Sequence, residues 1–185
     1  MTRWTFRLAL CGLLLGATWQ LGAAAAIHGK AALGQVLLER AWDAGREQGQ
    51  PPPPWPWADT APVARMRVPH LGIDQIVLAG LDGNTLAWAP GMAVGSGGHR
   101  VIAGHRDTHF RFLRDIAPGH RFELETPDGT VLAWQVTATT VVDERYAGLD
   151  MDLPVERLTL ITCYPFETAD PGGPLRYIVS LESQP

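Results

Sequence analysis

The residue with the clearest chemical potential is Cys163, the last residue of the apolar run Leu158-Thr159-Leu160-Ile161-Thr162-Cys163. Tyr164-Pro165 follows at once, and proline ends a strand because it has no N–H for the ladder. A cysteine at a strand terminus can be presented to a groove, whereas a mid-strand cysteine is ordinarily an inert core thiol. The other cysteine, Cys11, lies in an apolar N-terminal segment, so no structural disulfide between the two is expected. That leaves one thiol in the remainder of the chain as a candidate nucleophile.

A nucleophilic thiol needs an acid/base neighbour, both to form the thiolate and to protonate a leaving amine. His105 ends the run Val101-Ile102-Ala103-Gly104-His105, a strand end that mirrors that of Cys163. Imidazole suits the task because its unperturbed pKa lies near neutrality. Arg176 opens the run Arg176-Tyr177-Ile178-Val179, and its guanidinium is a permanent charge with five donors for a developing oxyanion. Taken singly, each has an ordinary explanation: a core thiol, one histidine among six, a strand-end arginine paired with a surface carboxylate.

His105 and His109 stand four apart, a spacing that can ligate zinc on a helix. The word His-Arg-Asp-Thr-His lacks the glutamate of the H-E-x-x-H pattern, and neither His99 nor His120 makes a convincing third ligand. No metal and no cofactor is therefore expected. Asp107 and His109 are instead candidates to assist His105 or to contact a substrate. A net charge of −4 and a pI near 5.8, without any long basic run, argue against nucleic acid as a partner.

Short strands must position these groups. Alternating or β-branched runs appear at Arg65–Val68, Ile73–Leu78, Arg100–Gly104, Arg121–Glu125, Val131–Val142, Leu158–Cys163 and Leu175–Leu181. Turn signals at Asp82-Gly83-Asn84, Pro90-Gly91, Pro118-Gly119 and Asp128-Gly129 separate them, and Phe110–Ile116 reads as one short helix. Many strands and few helices predict an all-β domain, closed into a barrel or sandwich to remove exposed edges. Composition places this domain at residues 58–185.

Before it, Leu8–Ile27 carries no charged side chain and matches the roughly 20 residues that cross a bilayer as a helix. Arg3 and Arg7 favour a cytoplasmic N-terminus. An uncleaved anchor over residues 1–27 is the favoured reading, with a cleaved leader ending near Ala23–Ala26 as the alternative. Either one exports the rest. Residues 28–57 read as an amphipathic helix to Arg46, with Leu33, Val36, Leu37, Ala41 and Ala44 on its apolar face, followed by a stiff proline- and tryptophan-rich linker.

The words around these residues resemble the sortase family: "LTLITC" ending at Cys163, "GHRDTHF" with His105 placed 58 residues upstream, and "PLRY" with Arg176 thirteen residues downstream. "HRDTHF", "TCYPF" and "PWPWADT", together with the anchor, look most like the Gram-negative sortase class. The resemblance implies a closed barrel of about eight strands, one more than the runs above supply. The segment Leu86–Val94, or a division of Val131–Val142, is where the eighth would lie. It also implies a transpeptidase that cleaves an LPxTG-like sorting signal between Thr and Gly through a thioacyl intermediate on Cys163. His105 would then protonate the departing amine, Arg176 would hold the oxyanion or substrate backbone, and Thr162 would help to position the substrate. The implied partners are an exported membrane protein carrying the signal and an amine acceptor, met at the inner membrane by a single-pass enzyme with a periplasmic domain. The segments Asp143–Arg157 and Tyr164–Pro174 would set sequence preference. Some members bind calcium through acidic loops, and for Asp143, Glu144, Asp150 and Asp152 a solvated loop is the reading preferred here. The non-enzymatic alternative is an anchored barrel that binds a partner and carries an inert Cys163.

Overall fold

The computed structural model describes residues 3–152, 154, 156–168 and 172–184; parts of both segments expected to set sequence preference (153, 155 and 169–171) lie outside these. The described chain divides into two compact units, 1–37 and Leu38–Pro185. Helix α1, Arg3–Gln48, begins in the first. There Leu13, Leu14, Leu15, Trp19, Leu21 and Ile27 are exposed. One stretch of this helix, with a mean hydropathy of 1.6, is long and apolar enough to cross a membrane.

The second unit is a closed barrel of eight strands: β1 Pro62–Val68, β2 Ile73–Ala79, β3 Gly91–Val94, β4 Arg100–Ala103, β5 Arg121–Glu125, β6 Val131–Asp143, β7 Arg157–Cys163 and β8 Leu175–Ser183. The order around the barrel is β1-β2-β3-β4-β7-β8-β6-β5. β2/β3 and β4/β7 pair in parallel and every other neighbouring pair is antiparallel. The eighth strand is β3, within the Leu86–Val94 segment. It stayed weak in the sequence because Gly91-Met92-Ala93-Val94 has one β-branched residue, whereas the equally short β4 has two. β6 is undivided, with a register shift between Val136 and Ala138 that bends it without breaking the pairing. The segment Arg111–Asp115 forms a 3-10 turn, and a one-turn helix α2, Gly83–Leu86, is capped by the Asp82 carboxylate.

Alternation fills the barrel. In β1, Ala64, Met66 and Val68 point inward, and Phe122, Trp134, Leu160 and Val179 meet them in one buried cluster. In β7 the inward residues are Leu158, Leu160 and Thr162, which turns Thr159, Ile161 and Cys163 to the outer face.

The compact unit that holds the barrel begins at Leu38, twenty residues before the expected domain start at Ala58. The end of α1 buries Leu38, Ala41, Trp42 and Gly45, at i, i+3, i+4 and i+7, and Leu38 and Trp42 pack with Ile76, Leu78 and Ala89 in a second apolar cluster. The buried stripe is thus not the expected one: Leu33 and Val36 are exposed. Glu39 pairs with Arg65 at 2.9 Å and Arg46 reaches the buried Glu125 at 3.6 Å. Nor is the proline segment a free spacer. Pro51 and Pro54 are buried, Pro51 lies where a Cβ on Gly45 would sit, and Trp55 packs on Trp88 at 4.8 Å. Trp57 alone of that segment's tryptophans stays exposed.

Trp42→Ala should therefore destabilise the barrel unit by about 3–5 kcal/mol, the usual range for a buried aromatic truncation. Chemical denaturation followed by far-UV circular dichroism checks this. A loss within about 0.5 kcal/mol would show that the helix end is not part of the folded domain.

Candidate active site

Three strands bring the candidate residues into one row. In the antiparallel β7/β8 ladder Cys163 lies directly opposite Arg176, which places their side chains on the same outward face. In the parallel β4/β7 ladder Ala103 pairs with Ile161, and the Gly104 N–H donates to the Ile161 carbonyl at 3.2 Å. Continuing that register two residues sets His105 beside Cys163. Both line a cleft of about 340 Å³ together with Arg106, Asp107 and Thr108. The thiol is half-buried and the imidazole exposed. A larger depression of about 600 Å³, around Pro69, His70 and His120, contains no nucleophile.

Arg176 is held firmly. Nη1 donates to the carbonyls of Gly173 (2.7 Å) and Leu175 (2.9 Å), and Nη2 donates to Glu144 Oε1 at 2.7 Å. Of its five N–H groups, Nε–H and one on Nη2 have no partner among the described residues, so the fixed guanidinium keeps donors for a substrate oxygen.

Thr162 has a different place from the one expected. Its side chain is on the core side, 3% exposed, and its hydroxyl donates to the Gly104 carbonyl at 2.7 Å. Alternation puts it on the face opposite Cys163, so it ties the ends of β4 and β7 together rather than reaching a substrate. Gly104 is required there because a Cβ would sit 2.9 Å from the Phe110 ring. His109 likewise lies outside the cysteine cleft, in an adjoining depression with Ile73, Gln75 and Arg111. Burial pushes its pKa below the usual histidine value, and the nearby His105 adds to that. Asp107 does line the cleft, exposed, and its hydrogen bonds from Arg106 hold its carboxyl below the ordinary aspartate range.

Arg106 was missed by sequence reasoning. It is 5% exposed, donates from Nε and Nη2 to both Asp107 oxygens at 2.9 Å, and donates from Nη1 to the Pro165 carbonyl at 2.9 Å. It thereby joins the segment after His105 to the segment after Cys163. A charged residue in a polar loop carries no signal of burial, so only the fold reveals it. The acidic residues of the segment after β6 already have protein partners: Asp143 takes Arg145, which lowers its pKa to about 2, Glu144 takes Arg176, and Asp152 takes Ser96.

The closed barrel and its outward cysteine, histidine and arginine define a thiol site assembled on strand ends. The sortase domain model matches residues 66–184, and the chain belongs to the sortase family. Sortase D of Bacillus subtilis (strain 168) is 28% identical over 120 residues, which cover 62% of this chain and 60% of that protein. The chain thus spans about 60% of the length of this curated relative. Among solved structures, sortase A from Corynebacterium diphtheriae superposes with a TM-score of 0.60 at 25% identity, over 70% of this chain and 63% of that one. A Clostridium perfringens sortase D5 transpeptidase shares the fold, with a TM-score of 0.64 at 17% identity over 83% of this chain and 99% of that one.

Thr162→Val should cost about 1–3 kcal/mol by leaving the Gly104 carbonyl without its buried partner, which denaturant titration measures. His109 should titrate below the ordinary histidine pKa of about 6.5. Because the unfolded chain then binds more protons, its contribution to stability is present above that value and is lost as pH falls toward the folded pKa. An imidazole NMR titration with a midpoint at or above about 6.5 would contradict this.

Proposed function

We propose that this sortase-family chain is a membrane-anchored cysteine transpeptidase acting on an LPxTG-like sorting signal. One observation carries the reading: Cys163 stands opposite Arg176 in the β7/β8 ladder while sharing a cleft with His105. In this scheme the Cys163 thiolate attacks the carbonyl carbon of the Thr–Gly bond. The oxyanion forms beside Nε–H and the second Nη2–H of Arg176. As the C–N bond breaks, His105 gives a proton to the departing glycine amine, leaving a thioacyl enzyme. An acceptor amine then attacks the thioester, the C–S bond breaks, and the proton released by the amine returns to His105. Asp107 is carried as a contact for the incoming peptide, since it borders the cleft.

The wording "HRDTHF" and "TCYPF" supports placement in the Gram-negative class. Together with α1 it supports an inner-membrane anchor, a cytoplasmic N-terminus and a periplasmic barrel. The partner is then an exported protein that carries the sorting signal and is held in the same membrane.

The full chain should join an LPxTG-like peptide to an added amine, with the thioester trapped on Cys163 in mass spectra. Cys163→Ala should abolish transfer, and His105→Ala should lower kcat by about 10²–10⁴, the range for a lost general acid. Arg176→Lys should lower it by about 10²–10³, as for a lost oxyanion donor. A folded protein whose Cys163 resists alkylation and forms no adduct would return the chain to the reading of an anchored binding module.

A further inference from the structure

His99 is a fully buried histidine that the proposed reaction does not use. It is 1% exposed and lies just before β4. Its Nδ1 is 2.9 Å from the Asp150 carbonyl and its Nε2 is 2.9 Å from Thr159 Oγ1. A carbonyl only accepts, so Nδ1 carries the proton; in the neutral ring Nε2 then accepts from the Thr159 hydroxyl.

Thr159 gives this contact its meaning. By alternation along β7 it faces outward, in line with Ile161 and Cys163, yet it is only 2% exposed. Something outside the barrel covers it. β6 and β7 are both antiparallel to β8 and so run parallel to each other. The chain leaving β6 at Asp143, beside the Arg176 end, must therefore travel the length of the barrel on its outside before β7 begins. It passes Glu144, which holds Arg176, and arrives at Asp150 and Asp152 against the β3–β4 turn.

That landing is shaped for it. The Ser96 N–H and hydroxyl donate to Asp152 Oδ1 at 3.3 and 2.6 Å, and the Asp152 N–H donates to Asp150 Oδ1 at 3.0 Å. A Cβ on Gly95 would overlap the Met151 carbonyl oxygen, so the backbones meet at a place only glycine permits. Ile178, Ile161 and Ala103 form the outward row that lies between Thr159 and the Cys163 row.

We propose that His99 is a positioning residue for the peptide groove: by bonding Asp150 and Thr159 it pins the segment Glu144–Asp152 across the outer face and fixes the wall along which substrate reaches Cys163. His99 touches none of the reacting groups. Its effect falls on binding rather than on the chemical step. This inference rests on the transpeptidase reading for its kinetic consequence, but not for the latch itself.

The test uses the full chain with His99→Phe, which keeps a ring and loses both hydrogen bonds, and His99→Asn, whose amide nitrogen replaces Nδ1 toward Asp150. In His99→Phe, amide exchange within Glu144–Asp152 should speed up about 10-fold, and the KM for an LPxTG-like peptide should rise about 5- to 10-fold, the effect of one or two lost neutral hydrogen bonds. kcat and the rate of Cys163 alkylation should stay within about threefold, and His99→Asn should recover most of both losses. A folded His99→Phe with unchanged exchange overturns the latch. Faster exchange with unchanged KM overturns the positioning role. If His99→Phe does not fold, Thr159→Val removes one arm from the outer face and should give a smaller shift of the same sign; no shift there overturns the proposal. A wild-type chain that transfers no peptide refutes the transpeptidase reading and the kinetic role of His99 with it, while the exchange result still decides the latch.

Discussion

The register of β7 between β4 and β8 is the constraint on which the site depends. Leu158 and Leu160 are fully buried and Thr162 nearly so, which forces Thr159, Ile161 and Cys163 outward. A slip of one residue would turn Cys163 into the core and expose two leucines, a loss of about 1.5–3 kcal/mol for each. The core therefore selects the face on which the thiol stands, and the ladders on either side select its neighbours. The Thr162 hydroxyl on the Gly104 carbonyl closes the upper end of β4 against β7, where His105 emerges.

Parallel pairing has a consequence for the walls of the site. β4 and β7 are parallel neighbours separated by more than fifty residues of chain, and β6 is parallel to β7 with β8 between them. Neither connection can be a tight turn. The chain between β4 and β7 includes β5 and β6, and the stretches that leave β4 and β6 both approach the cysteine row. Arg106 binds the stretch after His105 to the Pro165 carbonyl, and Glu144 binds the stretch after β6 to Arg176. These stretches thus become the surroundings of the Cys163–Arg176 row, held by charged side chains.

Much of this was legible before any coordinates. Seven strands showed themselves by alternation or by β-branched runs, and strand-ending signals placed Cys163 and His105 at termini. β3 did not, since Gly91-Met92-Ala93-Val94 carries a single β-branched residue. The apolar stripe of α1 was read one residue out of phase because the helix remains apolar on several sides before Leu38. Periodicity cannot choose among such faces until a partner surface, here Ile76 and Leu78, selects one. The resemblance to the family's Thr-Cys pair makes Thr162 a candidate to position the substrate, while strand alternation puts its side chain on the face opposite Cys163.

By itself, the sequence determined which side chains have reactive chemistry, the order in which they occur, and that short alternating strands carry them outside a long apolar helix. These are properties of residue type and of spacing within one element, where the strand period of two acts locally. Only the tertiary structure decided that Cys163 faces Arg176, that Arg106 and His99 are buried in working positions, and that the end of α1 belongs to the barrel. Those facts depend on contacts between segments tens of residues apart, such as His99 with Asp150 and Thr159. Local pattern has no access to them, because burial and hydrogen bonding are set by whatever surface the rest of the chain brings alongside.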